Sequence, residues 1–474
     1  MISYLLSISV LIVGYAVYGR IAEKVFGPDG RVTPAIAVND GVDCVPLPLW
    51  KSFLIQLLNI AGTGPIFGAL MGAVFGPVVF LWIVFGSILG GAVHDYMCGM
   101  ISSRHEGQSI SRLAGLYLGR AARWILGVFS VVLLVLCGTV FLTSPAKLLA
   151  MLTPDFLDVP FWVIFILIYY VLATLLPIDK LIGRLYPVFG IILIIMALGI
   201  GGALVLHPGA YVIPEISLKG THPDGLSPWP FMFVTVACGA ISGFHATQSP
   251  MISKCITSEK QGRCVFYGAM LCESVIALTW AAAGVAFYGT AQSLQTALDV
   301  SGQSGVVYEI STGILGKFGG VLAVIGVIIC PISSGDTAFR SARLLISEHV
   351  CKDQRRFRNR LIITIPLLLT GGVLAHVNFD VLWRYFSWSN QTLASVALWT
   401  AAAYLLRQRK TPCASLITAL PAAFMSAVSM TYILMSPEGF RLSSAISCPA
   451  GCAFALVLFT LYLIKAFFGK ERSL

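Results

Sequence analysis

Long apolar stretches separated by short polar loops run through the whole chain. A membrane-crossing helix needs about 20 mostly apolar residues, and the sequence predicts thirteen such spans. They lie at 2–19, 52–74, 77–102, 122–142, 160–177, 184–206, 229–255, 262–288, 317–346, 358–376, 380–406, 412–434 and 445–467. The first apolar run, Ile2 to Tyr18, lacks a basic n-region and an A-x-A site. It is therefore expected as a retained helix and not as a cleaved leader. The span at 317–346 is long for one crossing and contains P-I-S-S-G-D-T, Pro331 to Thr337.

Two spans carry sequences that a continuous helix resists. Asn59 to Pro65 reads N-I-A-G-T-G-P at the centre of the second span. Gly62 and Gly64 weaken a helix there, and Pro65 lacks an N–H and clashes with the preceding turn. Gly239 to Pro250 reads G-A-I-S-G-F-H-A-T-Q-S-P inside the seventh span. Backbone groups freed in hydrocarbon must be received by protein or by a wet cavity. Breaks at corresponding positions of two halves therefore point to the binding site of a secondary transporter. The polar residues beside them, Asn59, Thr63, Ser242, His245, Thr247 and Gln248, strengthen that reading over two ordinary kinks.

Charge placement gives the expected topology. With the N-terminus outside, 26 of the 31 lysines and arginines fall on the cytoplasmic side, and Lys147, Lys219, Lys317, Arg384 and Arg441 remain outside. This bias follows the positive-inside rule and puts the C-terminus in the cytoplasm. Spans two to six and seven to eleven then form five-helix units of opposite topology, each opening with its broken helix. The expected organisation is an extra helix and loop over 1–51, a first inverted repeat over 52–206 and an external loop over 207–228. A second inverted repeat over 229–406 and two peripheral helices over 407–474 complete it. Those last two are also expected as the contact for a homo-oligomer, and the outside segments 207–228 and 289–316 as small lids.

Composition agrees and excludes alternatives. Hydrophobic residues make up 57% and charged residues 11%, against about 25% charged in soluble domains. The chain is an all-α polytopic membrane protein whose partner is the lipid bilayer. The net charge of +10 sits in short loops and reports orientation, so no nucleic-acid partner is expected. The twelve cysteines are scattered without a C-x-x-C pair, which argues against a zinc site or a disulfide frame.

The broken helices offer bare peptide dipoles: N–H groups favour anions and carbonyls favour cations. At the first break the N–H groups of Gly62, Thr63 and Gly64 are placed to receive a carboxylate. At the second, Gly243 and Phe244 are placed to do the same beside Ser242, Thr247 and Gln248. His245 adds a titratable donor there, or makes an interhelix hydrogen bond. Ser333 and Ser334 supply hydroxyls suited to Na⁺ beside carbonyls from the first break. Asp336 is a membrane-embedded acid that either couples ions or pairs with Arg340 four residues on. His94 and Asp95 lie within the third span, where they form a proton relay or a structural pair to another helix. Glu273 is a further relay member or a hydrogen-bonded core acid. Asn390 and Gln391 read as interhelix hydrogen-bonding groups. No P-loop, H-E-x-x-H or G-x-S-x-G occurs, so no cofactor and no enzymatic activity are expected; the energy source is an H⁺ or Na⁺ gradient.

Four stretches resemble the carbon starvation protein A (CstA) family of bacterial inner-membrane transporters. They are Leu58–Leu70 (L-N-I-A-G-T-G-P-I-F-G-A-L), Gly90–Ile110 (G-G-A-V-H-D-Y-M-C-G-M-I-S-S-R-H-E-G-Q-S-I), Cys238–Pro250 (C-G-A-I-S-G-F-H-A-T-Q-S-P) and Ser333–Leu344 (S-S-G-D-T-A-F-R-S-A-R-L). The resemblance implies ion-coupled uptake of peptides or pyruvate when carbon is scarce. It also implies kinship with the amino acid–polyamine–organocation superfamily and a LeuT-type 5+5 inverted-repeat core with additional helices. The chain is shorter than the longest members of that family. A channel, or an intramembrane enzyme using His94, Asp95 and His245, are the alternatives.

Overall fold

The computed structural model describes residues 1–39, 41, 44–175, 178–350, 357–408 and 411–468, of which 175, 178–185, 318, 322, 323, 349 and 468 are described by backbone alone. The loop residues Lys352, Arg355, Arg356, Arg409, Lys410, Lys470 and Arg472, counted above as cytoplasmic, lie outside the described residues.

Helix α1 (Ile2–Phe26) ends at Gly27, whose left-handed φ of 72° turns its N–H back onto the Glu23 carbonyl. This is the conformation glycine adopts without steric cost. The first broken span follows as α2 (Leu49–Ile60) and α3 (Gly64–Ala73), bent by 56° between them. Next come α4 (Val78–Arg104), the short α5 (Ile110–Leu118), the long α6 (Arg120–Leu152), α7 (Val159–Leu175) and α8 (Ile178–Leu206). The second broken span is α9 (Pro228–Thr235) and α10 (Gly243–Ser253), with 236–242 unwound between them. Helices α11 (Glu259–Tyr288), α12 (Ala291–Val350), α13 (Phe357–Leu374), α14 (Phe379–Arg407), α15 (Pro412–Met435) and α16 (Ser444–Phe468) complete the chain.

Among the described residues nine helices are long and apolar enough to cross a membrane, or ten with the bent pair α2–α3 counted as one span. The sequence pattern predicted thirteen. The difference has three sources. Helix α7 is shorter, α9 and α10 are separate arms, and α14 is continuous but carries a polar face of Ser387, Ser389, Asn390, Gln391 and Ser395, all buried. The segment 289–316, expected as an outside loop, is mostly helical: α12 starts at Ala291 and changes direction at Gly302 and Gly316, where φ is 65° and 69°. Beyond Gly316 it runs on through Pro331 to Thr337, so that segment does not interrupt the span.

The two broken spans occupy the middle of the bundle. Helix α2 packs on α8, α11 and α12, and α10 packs on α4 and α14. Helices α15 and α16 lie at the edge; α16 turns most of its length outward. At one end of the bundle Arg104, closing α4, ties several elements together. Its guanidinium donates to both Glu259 oxygens (2.8 and 2.9 Å), to the Gly27 carbonyl (2.7 Å) and to the Tyr404 hydroxyl (3.0 Å). It also stacks on the Phe26 ring at 4.0 Å.

Candidate functional site

The two breaks meet. A Cβ built on Gly64 would stand 2.2 Å from Cys238 Cβ and 2.4 Å from its Sγ, and one on Gly68 would stand 3.0 Å from the Thr235 carbonyl. The pairing of 64 with 238 and of 68 with 235 makes the arms antiparallel. On the other arms Gln56 Nε2 donates to Ser249 Oγ at 3.3 Å. Glycine at 64 is required by contact, because any side chain there would displace the second broken span.

The freed backbone groups find named partners, as burial demands. At the second break the Val236 carbonyl accepts from Trp82 Nε1 (3.2 Å) and the Gly239 carbonyl from Ser87 Oγ (3.0 Å), with Ser274 Oγ behind Ser87 at 2.6 Å. Asn390 from α14 closes the start of α10. Its Oδ1 accepts from the Phe244 N–H (2.6 Å), and its amide exchanges hydrogen bonds with Ser242 Oγ. Gln391 Nε2 donates to the Phe233 carbonyl at 3.0 Å.

These contacts take one N–H, that of Phe244, held by Asn390, out of the anion seat expected at the second break. A Cβ on Gly243 would lie 2.3 Å from the Asn390 carbonyl oxygen, so that glycine serves the close approach of α14.

At the first break Ser334 Oγ donates to the Leu58 carbonyl at 3.0 Å, and Cys330 Sγ contacts the Ala61 carbonyl. Ser334 therefore meets the carbonyl-rich end of α2. Ser333 does not: its hydroxyl donates to the Cys330 carbonyl of its own helix at 2.7 Å. The Gly62 N–H turns to the Ile60 carbonyl (3.0 Å) and is not free for a ligand. Asn59, by its Oδ1 and Nδ2, and Thr63, by its Oγ1, are fully buried yet hydrogen-bond to nothing among the described residues. Such buried groups carry a cost unless a partner meets them.

The titratable residues singled out in the sequence converge. His94 Nδ1 lies 2.8 Å from Asp95 Oδ1, and His245 Nδ1 lies 2.8 Å from Asp95 Oδ2. His245 Nε2 in turn stands 3.5 Å from Glu273 Oε2. All four side chains are fully buried, and they come from α4, α10 and α11. Cys238 Sγ, a His245 ring nitrogen and a Glu273 oxygen lie within 4.8 Å of one another. That set offers three donors, one fewer than a closed tetrahedral zinc site uses.

Asp336 lies apart from this chain. Its Oδ2 is 3.5 Å from Arg340 and accepts from the Tyr186 hydroxyl at 3.1 Å, which is the pairing alternative. Thr247 Oγ1 donates to the Phe244 carbonyl (2.6 Å), and Gln248 Nε2 reaches Thr247 Oγ1 (3.0 Å) and Ser341 Oγ (3.3 Å). Thr247 and Ser341 also border a cavity of about 50 Å³ between α6, α10 and α12. Rings cover the breaks: Phe141 packs over Gly62 and meets Phe244 at 5.6 Å and Phe386 at 6.2 Å.

Sequence reasoning missed Trp82, Ser87, Ser274, Cys238, Cys330 and Phe141. Cys238 and Cys330 carried one available signal: each lies within or directly before a motif already marked as unusual.

The family model for carbon starvation protein CstA matches residues 1–157, 149–304 and 295–432. The chain belongs to the CstA family. An uncharacterized membrane protein of Haemophilus influenzae is 43% identical over 350 residues, covering 63% of this chain and 94% of that protein. A peptide transporter CstA of Helicobacter pylori is 31% identical over 331 residues, covering 56% and 48%. The pyruvate/proton symporter BtsT of Escherichia coli is 28% identical over 351 residues, covering 57% and 47%. The chain thus aligns with about half the length of these two named transporters.

Solved structures agree on fold. A manganese transporter of Eremococcus coleocola superposes with TM-score 0.54 at 14% identity, covering 91% of this chain and 98% of that one. MhsT in complex with L-phenylalanine gives 0.51 at 15%, covering 88% and 98%. The CstA-family chain therefore has the LeuT-type transporter fold.

Proposed function

We propose that this protein is a secondary active transporter that imports peptides or small carboxylates such as pyruvate by ion-coupled alternating access. Spans two to six and seven to eleven serve as inverted five-helix repeats. The reading places it in a bacterial inner membrane, with the N-terminus outside and the C-terminus cytoplasmic, and gives it a role when carbon is scarce. The observation that carries it is the antiparallel contact of two broken helices at Gly64 and Cys238. A static channel wall needs no such joint, whereas alternating access needs arms that rock about a shared centre.

Substrate meets Asn59 and Thr63, whose side-chain polar atoms have no hydrogen-bond partner among the described residues. The His94–Asp95–His245 chain links the continuous helix α4 to α10, an arm of the second broken span, and suits H⁺ as the coupling ion. Ser334 beside the Leu58 carbonyl suits Na⁺ as the alternative. One charge crossing the membrane potential releases about 2.3 kcal/mol per 100 mV, enough for useful accumulation.

The test is uptake by proteoliposomes holding the purified chain. Labelled pyruvate and labelled di- and tripeptides are offered under imposed H⁺ or Na⁺ gradients. Saturable, gradient-driven accumulation with counterflow is the expected result. Non-saturating flux without counterflow assigns a channel, and chemically altered substrate inside the vesicles assigns an enzyme.

A further inference from the structure

Cys238 in the unwound segment, His245 on α10 and Glu273 on α11 bring three different metal-ligating groups to one buried point. A sulfur, a ring nitrogen and a carboxylate oxygen lie within 4.8 Å of one another. His245 Nε2 and Glu273 Oε2 are 3.5 Å apart, too long for an ordinary hydrogen bond. The spacing suits a shared cation better. Bonds of about 2.0–2.3 Å to a tetrahedral Zn²⁺ put neighbouring donors about 3.3–3.6 Å apart.

Each donor is also held from behind. His245 Nδ1 meets Asp95 Oδ2 at 2.8 Å, and Asp95 Oδ1 meets His94 Nδ1 at 2.8 Å. A carboxylate on one ring nitrogen is what fixes the tautomer of a ligating imidazole and presents the other nitrogen. That other nitrogen, Nε2, has no hydrogen-bond partner among the described residues. Cys238 Sγ accepts from Asn390 Nδ2 at 3.5 Å and lies 3.4 Å from Ser242 Oγ. Hydrogen bonds to sulfur favour its thiolate form. The Gly239 N–H bonds the Glu273 carboxyl, and a carboxylate so held keeps lone pairs for a metal.

Charge and softness select the ion. Cys238 is 1% exposed, and His245 and Glu273 are fully buried. A thiolate, a carboxylate and a neutral imidazole balance one divalent cation, so the ion and its ligands together carry no net charge. That matters where an unpaired charge is costly. Sulfur and imidazole favour Zn²⁺, whereas Mg²⁺, Ca²⁺ and Mn²⁺ take oxygen ligands. Three protein donors leave a fourth position for water.

We propose that Cys238, His245 and Glu273 bind one Zn²⁺ ion, which pins the unwound segment and α10 to α11. Its test needs no transported substrate, so it stands or falls separately from the transporter reading.

Purified protein in detergent, stripped of metal by a chelator, is titrated with Zn²⁺ against a chromophoric zinc indicator, and separately with Co²⁺ as an optical stand-in. One equivalent of Zn²⁺ should bind, and excess Mg²⁺ or Ca²⁺ should not displace it. Bound Co²⁺ should show a sulfur-to-metal charge-transfer band in the near ultraviolet. Cys238→Ser should abolish that band and weaken Zn²⁺ binding by about a hundredfold or more. Asp95→Asn leaves the three donors in place and should weaken binding by about ten- to a hundredfold, as for other groups that orient a ligand. Saturating Zn²⁺ should raise the thermal midpoint of the native protein by a few degrees and leave that of Cys238→Ser unmoved. Cys413→Ser and Cys452→Ser, at exposed positions, should bind Zn²⁺ as the native protein does. X-ray absorption of the zinc-loaded native protein, which needs no variant, should show one sulfur ligand among nitrogen and oxygen. A metal ligated by nitrogen and oxygen alone overturns the site. So does a charge-transfer band that persists in Cys238→Ser, or a native protein that binds no saturable equivalent of Zn²⁺.

Discussion

Asp95 Oδ2 and His245 Nδ1 lie 2.8 Å apart although 150 residues separate them in the chain. One hydrogen bond between two fully buried groups therefore fastens α10, an arm of a broken span, to the continuous helix α4. The second oxygen of the same carboxylate holds His94, so Asp95 orients two imidazoles at once. Buried acids and histidines inside membranes are costly and are retained where ions or protons pass.

Asp95→Asn keeps the shape but replaces one acceptor by a donor, so one of the two imidazole contacts is lost. Uptake driven by a pH gradient is expected to fall by an order of magnitude or more, with substrate counterflow reduced far less. Parallel measurement of both fluxes in the same vesicles checks it. Equal loss of the two would show that Asp95 shapes the site without coupling it.

Thr63 has a buried hydroxyl without a hydrogen-bond partner among the described residues, so its contribution is expected in the loaded state. Thr63→Val is nearly isosteric. It should leave the thermal midpoint within about a degree or two, because no hydrogen bond of this structure is broken. It should raise the substrate KM about tenfold, the worth of one hydrogen bond of about 1 kcal/mol or slightly more. An unchanged KM would take Thr63 out of the site.

How much of this was legible in the sequence depends on whether the signal was local. Glycine and proline clusters marked both breaks, although the second unwound segment, 236–242, overlaps Gly239–Pro250 only at 239–242, and the Pro331–Thr337 cluster left its helix unbroken. Ionisable residues in apolar runs mark themselves equally well, and His94, Asp95, His245 and Glu273 proved to be neighbours. Choices set by packing across the bundle were not legible. Ser333 and Ser334 differ by about 100° around a helix with 3.6 residues per turn, and only the second faces the Leu58 carbonyl. Asn390 reads as a generic polar residue until α14 brings it to the Phe244 N–H. The span count diverged for a related reason: α14 turns Asn390 and Gln391 to the second break and Ser395 to α15, and composition alone gives no such direction.

The Arg104–Glu259 pair is a second joint. Arg104 is 8% exposed and Glu259 1%, and the fork links the end of α1, α4, the segment opening α11, and α14. Without Arg104, Glu259 keeps the Asp29 N–H (2.8 Å) and Arg31 at 3.6 Å, so the loss is smaller than the roughly 3–5 kcal/mol of an uncompensated buried charge. Arg104→Ala is expected to lower the thermal midpoint of the detergent-solubilised protein by several degrees. Arg104→Lys, which keeps charge but loses the fork, should lower it by less. A midpoint unmoved by both substitutions would show the pair to be energetically silent.

His222, in the segment between α8 and α9, packs on the Phe75 ring at 4.6 Å. Burial pushes its pKa below the ordinary histidine value of 6.5, with Asp224 and Asp299 opposing that shift. The neutral ring is thus favoured in the folded loop. Its contribution is present above the unfolded value and is lost as pH falls below about 6.5. The protection of amides in residues 217–226, measured against the intrinsic exchange rate at each pH, is expected to fall between pH 7 and 5, and His222→Gln should flatten that dependence. A pH profile identical in the variant would remove His222 as its source.

The joint between the breaks gives the sharpest structural test. A methyl group on Gly64 would collide with Cys238 at 2.2 Å from Cβ and 2.4 Å from Sγ. Cβ is a fixed atom that no rotamer change can move aside. Overpacking of this kind costs about 1–3 kcal/mol, and here the strain falls where two arms must slide. Gly64→Ala is therefore expected to abolish uptake while lowering the thermal midpoint by several degrees. Cys238→Ala retains the Cβ and should rescue little; Cys238→Gly removes it and should restore part of both stability and flux. The coupling between the two sites, read from the double-mutant cycle, should be favourable by about 1 kcal/mol, as for residues in direct contact. Strict additivity would mean that the broken spans do not touch at this point in the protein that transports, and the shared centre between them would have to be sought elsewhere.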